Sequence, residues 1–451
     1  MTINTAARII VGLGTTGLSC ARFLRAMGVE FQVVDSRMSP PGLSLFIQEF
    51  PEVSLTLGEF SPALLCGASE LIVSPGISLE TAAIKAARLA GVAISGDIDI
   101  FSKQVTQPVV AVTGSNGKST VVSLLAAMAR AAGKRVGLGG NLDGAEAAPA
   151  LDLLRQEPKD LYILELSSFQ LETTQHLGAQ VAVILNVSDD HMDRYADKRA
   201  YEAAKQRVFI GAQHIIVNRD DDTSMPWEEA AHVSSSFGLK APEQGQWGLL
   251  KRDAEEYLAF ADEPLLLVRE MGIVGRHNIA NALAALALGE VMGLPRAAML
   301  AALCSFPGLP HRCQWLRNLR GVDYYNDSKG TNVGASMVAI ESVGTMLQGK
   351  LILIAGGIDK EADFSCMRPV LQRFAKGVVL IGRDAHTIAA ALKDAVEITF
   401  AESLPEAVAI ATQQAQEGDA VLLSPACASF DMFDDFTHRG RVFASVVEAL
   451  R

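Results

Sequence analysis

The chain has 451 residues, 49% hydrophobic and 20% charged, and its 39 lysines and arginines against 51 aspartates and glutamates leave a formal net charge of −12. That length exceeds one ordinary core and suits two to four domains, and the balance excludes a disordered or fibrous chain. An acidic chain is a poor partner for nucleic acid or an anionic membrane, which need a basic surface, and no apolar run reaches the roughly 18–20 residues of a membrane span.

The opening residues, Met1 to Gly14, show no basic stretch, long apolar core or cleavage site, so no secretory leader is expected. Six scattered cysteines without a C-x-x-C pair fit a reducing cytoplasm rather than a disulfide scaffold or a zinc site. Arg8–Val11 reads as a strand. Gly12-Leu13-Gly14-Thr15-Thr16-Gly17 follows it and opens a helical stretch, and Asp35 ends the next strand, Gln32–Val34. Glycines permit the tight turn, its N–H groups face a pyrophosphate, and the acid suits a ribose hydroxyl. The pattern accepts a nicotinamide dinucleotide or any other diphosphate nucleotide, a UDP-sugar included. Ser36 and Arg37 add a hydroxyl and a cation, and Ser74-Pro75-Gly76-Ile77 is a second strand-end ligand loop.

A polar stretch near Lys103–Gln107 precedes a new strand, Val109–Val112. It leads into Thr113-Gly114-Ser115-Asn116-Gly117-Lys118-Ser119-Thr120 and the helical Val121–Ala132. Strand, glycine-rich loop, Gly-Lys-Ser and helix make a phosphate cradle, although Val112 stands where the full motif has its first glycine. ATP-type binding is expected, with Lys118 neutralising charge and a hydroxyl reaching Mg²⁺. Hard oxygen ligands for that ion are sought at strand ends. Glu165 ends Tyr162–Leu164, and His191 lies in the acid-rich Asn186–Tyr195 loop after Val181–Leu185. Asp220–Leu267 reads as short strands and loops inserted in the middle domain. Phe306–Pro310 punctuates the chain again, and Leu351–Ile354, Val378–Ile381 and Ala420–Leu423 are further strands. Strands alternating with helices throughout predict α/β architecture with parallel sheets. Three domains are expected: a Rossmann-like 1–102, a central P-loop ATPase-like 103–308 with a mainly parallel sheet, and a Rossmann-like 309–451.

Taken together, the Thr113–Thr120 loop, Glu165–Glu172, Asn186–Tyr195, Gly275–Asn281, Pro310-His311-Arg312, Asn326–Asn332 and Ser424–Asp431 resemble, in order, the Mur ligases, ATP-dependent amide ligases of bacterial cell-wall synthesis. The resemblance covers essentially the whole chain and is strongest to the D-glutamate-adding member. It implies a UDP-substrate domain, an ATP domain and an amino-acid domain. Thr16, Asp35, Ser36, Arg37, Ser74, Gly76, Asn141 and His191 would then hold the UDP-substrate. Gly114, Asn116, Gly117, Lys118, Ser119, Thr120, Asn278, Asn281, Arg312 and Asp327 would hold ATP. Thr331, Lys360, Ser429 and Phe436 would seat D-glutamate. Ser119, Glu165 and His191 would bind Mg²⁺, joined by Lys205, which the family carbamylates, at a second Mg²⁺. Lys118, His191, Lys205 and Lys329 would be catalytic, and His191 or a carboxylate would take the amine proton.

By that resemblance the chain would act as a monomer on small molecules and would close its domains before chemistry. Three departures stand out: Asp359 is displaced within Gly356-Gly357-Ile358-Asp359-Lys360, Asp435 replaces the asparagine usual before Phe436, and Gly140-Asn141-Leu142-Asp143 alters a loop but keeps Asn141. The rivals are a nicotinamide oxidoreductase, which leaves the Gly-Lys-Ser loop unexplained, a non-catalytic nucleotide sensor, and a ligase for another amino acid.

Overall fold

The computed structural model describes residues 7–142, 147–192, 194–227, 233–273, 275–359 and 362–451. The chain gathers into two compact units. The first runs to Val187 and resumes over Arg199–Leu266 and Ala282–Leu303; the second holds Ser188–Lys198, Leu267–Asn281 and Cys304–Arg451. The fold is α/β throughout and is carried by three sheets, one per expected domain.

Strands β1 (Arg8–Val11), β2 (Phe31–Asp35), β3 (Leu55–Leu57), β4 (Glu70–Val73) and β5 (Ala93–Ser95) form a parallel sheet in the order β3-β2-β1-β4-β5. Ile9, Ile10 and Val11 are all buried, because helices cover both faces and leave no polar side to alternate with. The order reverses between β1 and β4, so the loops after these two strands border the crevice where doubly wound sheets take ligands.

The second sheet contains β6 (Val109–Thr113), β7 (Val136–Gly140), β8 (Leu161–Glu165), β9 (Val181–Ile184), β10 (His214–Asn218), β11 (Val233–Phe237), β12 (Gln246–Arg252), β13 (Glu255–Phe260) and β14 (Glu263–Leu267). Its order is β14-β13-β12-β11-β10-β9-β6-β8-β7, parallel from β7 through β12, with β13 antiparallel to β12. The stretch 220–267, expected as short strands and loops inserted in the middle domain, holds the short strands β11 to β14, and these continue the sheet past β10. The hairpin between β12 and β13 turns on Asp253 and Ala254, both left-handed at φ 50° and 65°. Such turns usually advertise themselves with Asn-Gly, and this one does not. Trp247 is fully buried, its ring centroid 5.1 Å from that of Phe260, which anchors the extension.

The third sheet belongs to the second unit. Strands β15 (Gln314–Leu319), β16 (Val322–Asn326), β17 (Leu351–Gly356), β18 (Ala375–Ile381), β19 (Glu397–Phe400) and β20 (Ala420–Leu423) run in the order β15-β16-β20-β17-β18-β19. All neighbours are parallel except β15 and β16. Apolar clusters cover its two faces, one around Leu353 and Leu422, the other around Ile354 and Leu423. The loops after β16, β17 and β20 leave the same edge.

Candidate functional site

In the first turn, Gly12 sits at φ +100°, and a Cβ on Gly17 would overlap the Gly12 carbonyl oxygen. Glycine is needed at both positions so that the helix Thr15–Ala26 can start hard against β1. Its N-cap is Gly14, which offers no side chain to the first N–H groups, so they remain available to an anion. Asp35 is fully buried and accepts from Leu13 N at 2.6 Å and from Arg37 Nε at 2.9 Å and Nη2 at 2.7 Å. Burial pushes its carboxyl up, but the Arg37 guanidinium and the Leu13 and Arg37 N–H groups together hold it below the usual carboxylate range. Asp35 therefore braces the turn and aims Arg37. Ser74 Oγ donates to Gly12 O at 3.0 Å, joining the second ligand loop to the first. Thr16 is half-buried, Ser36 and Gly76 are exposed, and a Cβ on Gly76 would meet nothing within 4 Å.

The loop after β6 has the shape of a phosphate cradle. Gly114 is at φ +153° and Gly117, left-handed at φ +84°, caps the helix Lys118–Ala131 without a side-chain bond. The loop is clamped from behind: Asn186 Oδ1 accepts from Asn116 N at 2.8 Å, and Asn186 Nδ2 donates to Asn116 O at 3.1 Å. Ser115 Oγ lies 3.1 Å from Tyr201 OH. Lys118 Nζ donates to Gly114 O at 2.8 Å and Ser115 O at 3.0 Å. Ser119 Oγ donates to Glu165 Oε2 at 2.6 Å, and Asn141 Nδ2 reaches Glu165 Oε1 at 3.4 Å. A hydroxyl and a carboxylate 3% exposed at the mouth of a phosphate loop are the hard oxygen donors that Mg²⁺ prefers, so the residues fit that ion. Lys205 is 1% exposed, donates to Gly114 O at 2.9 Å and lies 4.4 Å from the Tyr201 ring centroid. It is not a solvated helix lysine. Thr120 is buried in the same helix.

In the second unit, His191 is left-handed at φ 58°, and its N–H donates to Asp190 Oδ1 at 3.0 Å. Asp190 Oδ2 in turn accepts from Asn332 Nδ2 at 3.0 Å. Asn332 caps the helix Val333–Gly344 through Ala335 N at 2.7 Å. Asn281 Nδ2 donates to Asn278 Oδ1 at 3.1 Å. Beside them, burial and then the Arg312 charge push the His277 imidazole down to about 4. Asp327 accepts from Cys313 N at 3.0 Å and Ser424 Oγ at 2.7 Å. Burial pushes its carboxyl up to about 6 against those two bonds. Lys329 Nζ stands 3.7 Å from the Phe436 ring centroid, and Thr331 N donates to Lys329 O at 2.8 Å. Ser429 is buried.

Family models match three consecutive stretches: the Mur ligase MurD-like N-terminal domain over residues 6–96, the Mur ligase middle domain over 112–289, and the Mur ligase glutamate ligase domain over 311–427. The chain is also 52% identical over 448 residues, 99% of both chains, to the UDP-N-acetylmuramoylalanine–D-glutamate ligase of Pseudomonas savastanoi pv. phaseolicola. The chain belongs to the Mur ligase family. Enzymes of the same name in Pseudomonas aeruginosa and Nitrosococcus oceani are each 52% identical, over 98% and 99% of this chain and 98% and 97% of theirs. Among solved structures, UDP-N-acetylmuramate-alanine ligase of Thermotoga maritima matches 98% of this chain and 99% of its own at TM-score 0.63 and 19% identity. A pseudomurein peptide ligase type C from Methanothermus fervidus matches 99% and 100% at 0.62 and 17%. These two likenesses are of fold.

Of the Mur-type positions read from the sequence, the first unit brings together Thr16, Asp35, Ser36, Arg37, Ser74 and Gly76 at one crevice. It gathers Gly114 to Thr120, Asn141, Glu165 and Lys205 at another. His191, Asn278, Asn281, Arg312, Asp327, Lys329, Thr331, Ser429 and Phe436 belong to the second unit. Lys360 and Asp143 lie outside the described residues, as does Asp193 of the His191 loop. Several supporting residues were missed: Asn186 and Tyr201, which brace the cradle, Ser424, and Arg439. Asn186 and Ser424 fall inside motifs read from the sequence, but no local pattern gives any of the four its bracing role, because these bonds span 70 or more residues of sequence.

Proposed function

We propose that this chain joins the amino group of D-glutamate to the alanyl carboxylate of UDP-N-acetylmuramoyl-L-alanine, cleaving ATP to ADP and phosphate. The observation that carries the reading is the phosphate cradle with its Ser119–Glu165 pair, in a chain half identical along its length to ligases of that name. The three domains divide as 1–102 for the UDP-substrate, 103–308 for ATP and 309–451 for the amino acid.

A carboxylate is a poor electrophile, so it must first be activated. Lys118 and the N–H groups at the start of the helix Lys118–Ala131 hold the triphosphate. Ser119 and Glu165 would hold Mg²⁺, which would supply neutralisation of phosphate charge there. A carboxylate oxygen of the alanyl group forms a bond to the γ-phosphorus as the bond from that phosphorus to the bridging oxygen breaks, releasing ADP and leaving an acyl phosphate. Lys329 offsets the charge that accumulates. Thr331, Lys360, Ser429 and Phe436 hold D-glutamate, whose amine attacks the acyl carbon. The amine gives up a proton, His191 or a carboxylate receiving it, and phosphate leaves from the tetrahedral intermediate. Asn278, Asn281, Arg312 and Asp327 set the nucleotide. Lys205, buried against the cradle, acts as a carbamate, and bicarbonate should then raise activity. The enzyme works as a cytoplasmic monomer.

Phosphate release with Mg-ATP and UDP-N-acetylmuramoyl-L-alanine tests the reading, with D-glutamate present, replaced by L-glutamate, or omitted. Release should require D-glutamate. Release that instead needs a different amino acid moves the specificity, and none with any acceptor rejects the ligase.

A further inference from the structure

Arg439, in the helix Phe436–Ala449, is 1% exposed. Its guanidinium donates from Nε to Ser328 Oγ at 3.0 Å, from Nη2 to Ser328 O at 2.8 Å and from Nη1 to Cys427 O at 3.2 Å. All three acceptors are neutral, and among the described residues no carboxylate lies within ion-pair distance of it. Burial pushes the group down to about 10, so it stays charged at neutral pH. Asp431 and Asp327 favour its charge only from beyond ion-pair distance, so a buried cation here remains expensive, and a neutral amide could satisfy carbonyls at less expense. The acceptors therefore matter. Ser328 stands between Asp327 and Lys329, and Cys427 is two residues before Ser429. Ser328 Oγ also donates to Phe436 O at 2.7 Å. One side chain thus ties together the loop after β16, the loop after β20 and the start of the last helix. Asp327, Lys329, Ser429 and Phe436 all hang on that frame. A planar fork with five fixed donors holds such a three-way junction in one geometry, which a flexible ammonium does not.

We infer that Arg439 is a positioning residue for the amino-acid pocket, clamping the Asp327–Lys329 and Cys427–Ser429 loops so that Ser429 and Phe436 meet D-glutamate in register, with Lys329 held beside Phe436. The inference rests on the reading given under Proposed function. It acts through backbone carbonyls and does not require Arg439 to touch substrate. Its retained charge adds a favourable field for an anionic amino acid, because charges in a poorly screened interior act at range.

The test is steady-state kinetics of the full chain carrying Arg439→Gln, Arg439→Lys or Ser328→Ala. We expect the KM for D-glutamate to rise about tenfold or more in Arg439→Gln and a few-fold in Ser328→Ala, with Arg439→Lys between wild type and Arg439→Gln. The KM for the UDP-substrate, whose residues lie away from this frame, should stay within about twofold, and the KM for ATP should rise less than that for D-glutamate, through Asp327 alone. An unchanged KM for D-glutamate in Arg439→Gln or Ser328→Ala overturns the inference. A parallel rise of all three KM values with a fall in melting temperature also overturns it, because that is what a brace without a positioning role produces. If Arg439→Gln does not fold, Arg439→Lys and Ser328→Ala decide by the same criterion. A wild-type chain without D-glutamate-dependent phosphate release is a separate result: it rejects the functional reading and this inference with it.

Discussion

Asp435 poses the sharpest question about single residues, since a carboxylate beside the amino-acid residues would repel D-glutamate. Its side chain is committed elsewhere: it is the N-cap of the helix Phe436–Ala449 and accepts from His438 N at 2.6 Å. Asparagine and aspartate cap about equally well, so either residue serves there. We expect Asp435→Asn to leave the KM for D-glutamate within about twofold and Asp435→Ala to destabilise the chain by about 1 kcal/mol, read by urea unfolding. Asp359 is accounted for in the same way, its Oδ1 accepting from Ala362 N at 3.0 Å. Lys118 is the opposite case. Its ammonium now rests on the Gly114 and Ser115 carbonyls, acceptors it can exchange for phosphate oxygens. Lys118→Ala should remove turnover while calorimetric binding of the UDP-substrate stays nearly intact, and an active Lys118→Ala enzyme would refute the cradle.

Between elements, the contact to examine is the one joining the helix Asp97–Gln104 to the helix Ser168–Glu172, which follows Glu165. Gln170 Nε2 donates to Asp97 Oδ2 at 3.2 Å, and Gln170 Oε1 accepts from Ser167 N at 3.2 Å in a capping box. Burial pushes the Asp97 carboxyl up to about 6, and the Gln170 bond only partly opposes it. A folded-state pKa above the unfolded one means that the folded state holds the proton more tightly. Stability from that proton is fully present below about pH 4 and is lost as pH rises through about 6. Asp97→Asn removes the burdened charge and should stabilise the chain by roughly 2–3 kcal/mol at pH 8, with the advantage vanishing near pH 4. Urea midpoints at the two pH values check this, and a gain that is equal at both would contradict it.

At the scale of the whole molecule, the six cysteines are free, and burial sorts them: Cys304 and Cys366 are exposed, Cys66 and Cys313 half-buried, Cys20 and Cys427 buried. Burial also raises the Cys20 and Cys427 thiols, which further slows reaction because the thiolate is the nucleophile. Titration with a disulfide reagent should therefore show two fast thiols in the native chain and six after denaturation. Fast reaction at Cys20 or Cys427 would mean that the helix or loop holding it opens readily. No helix among the described residues is long and apolar enough to cross a membrane.

Much of this molecule was legible in one dimension. Apolar runs such as Ile9–Val11 and Leu351–Ile354 mark strands buried on both faces, and Gly12–Gly17 and Gly114–Ser119 mark tight glycine turns that open helices, because backbone conformation and helix start are set by residues a few positions apart. What tertiary structure alone decided are relations between distant segments. The Asp253-Ala254 hairpin carries no turn signature, so only pairing in the sheet showed that 220–267 continues it. Burial of Lys205, capture of Asp35 by Leu13 and Arg37, and the three bonds of Arg439 each depend on side chains meeting across loops. Such contacts form only when the hydrophobic core has fixed where every strand ends, and no local spacing encodes them.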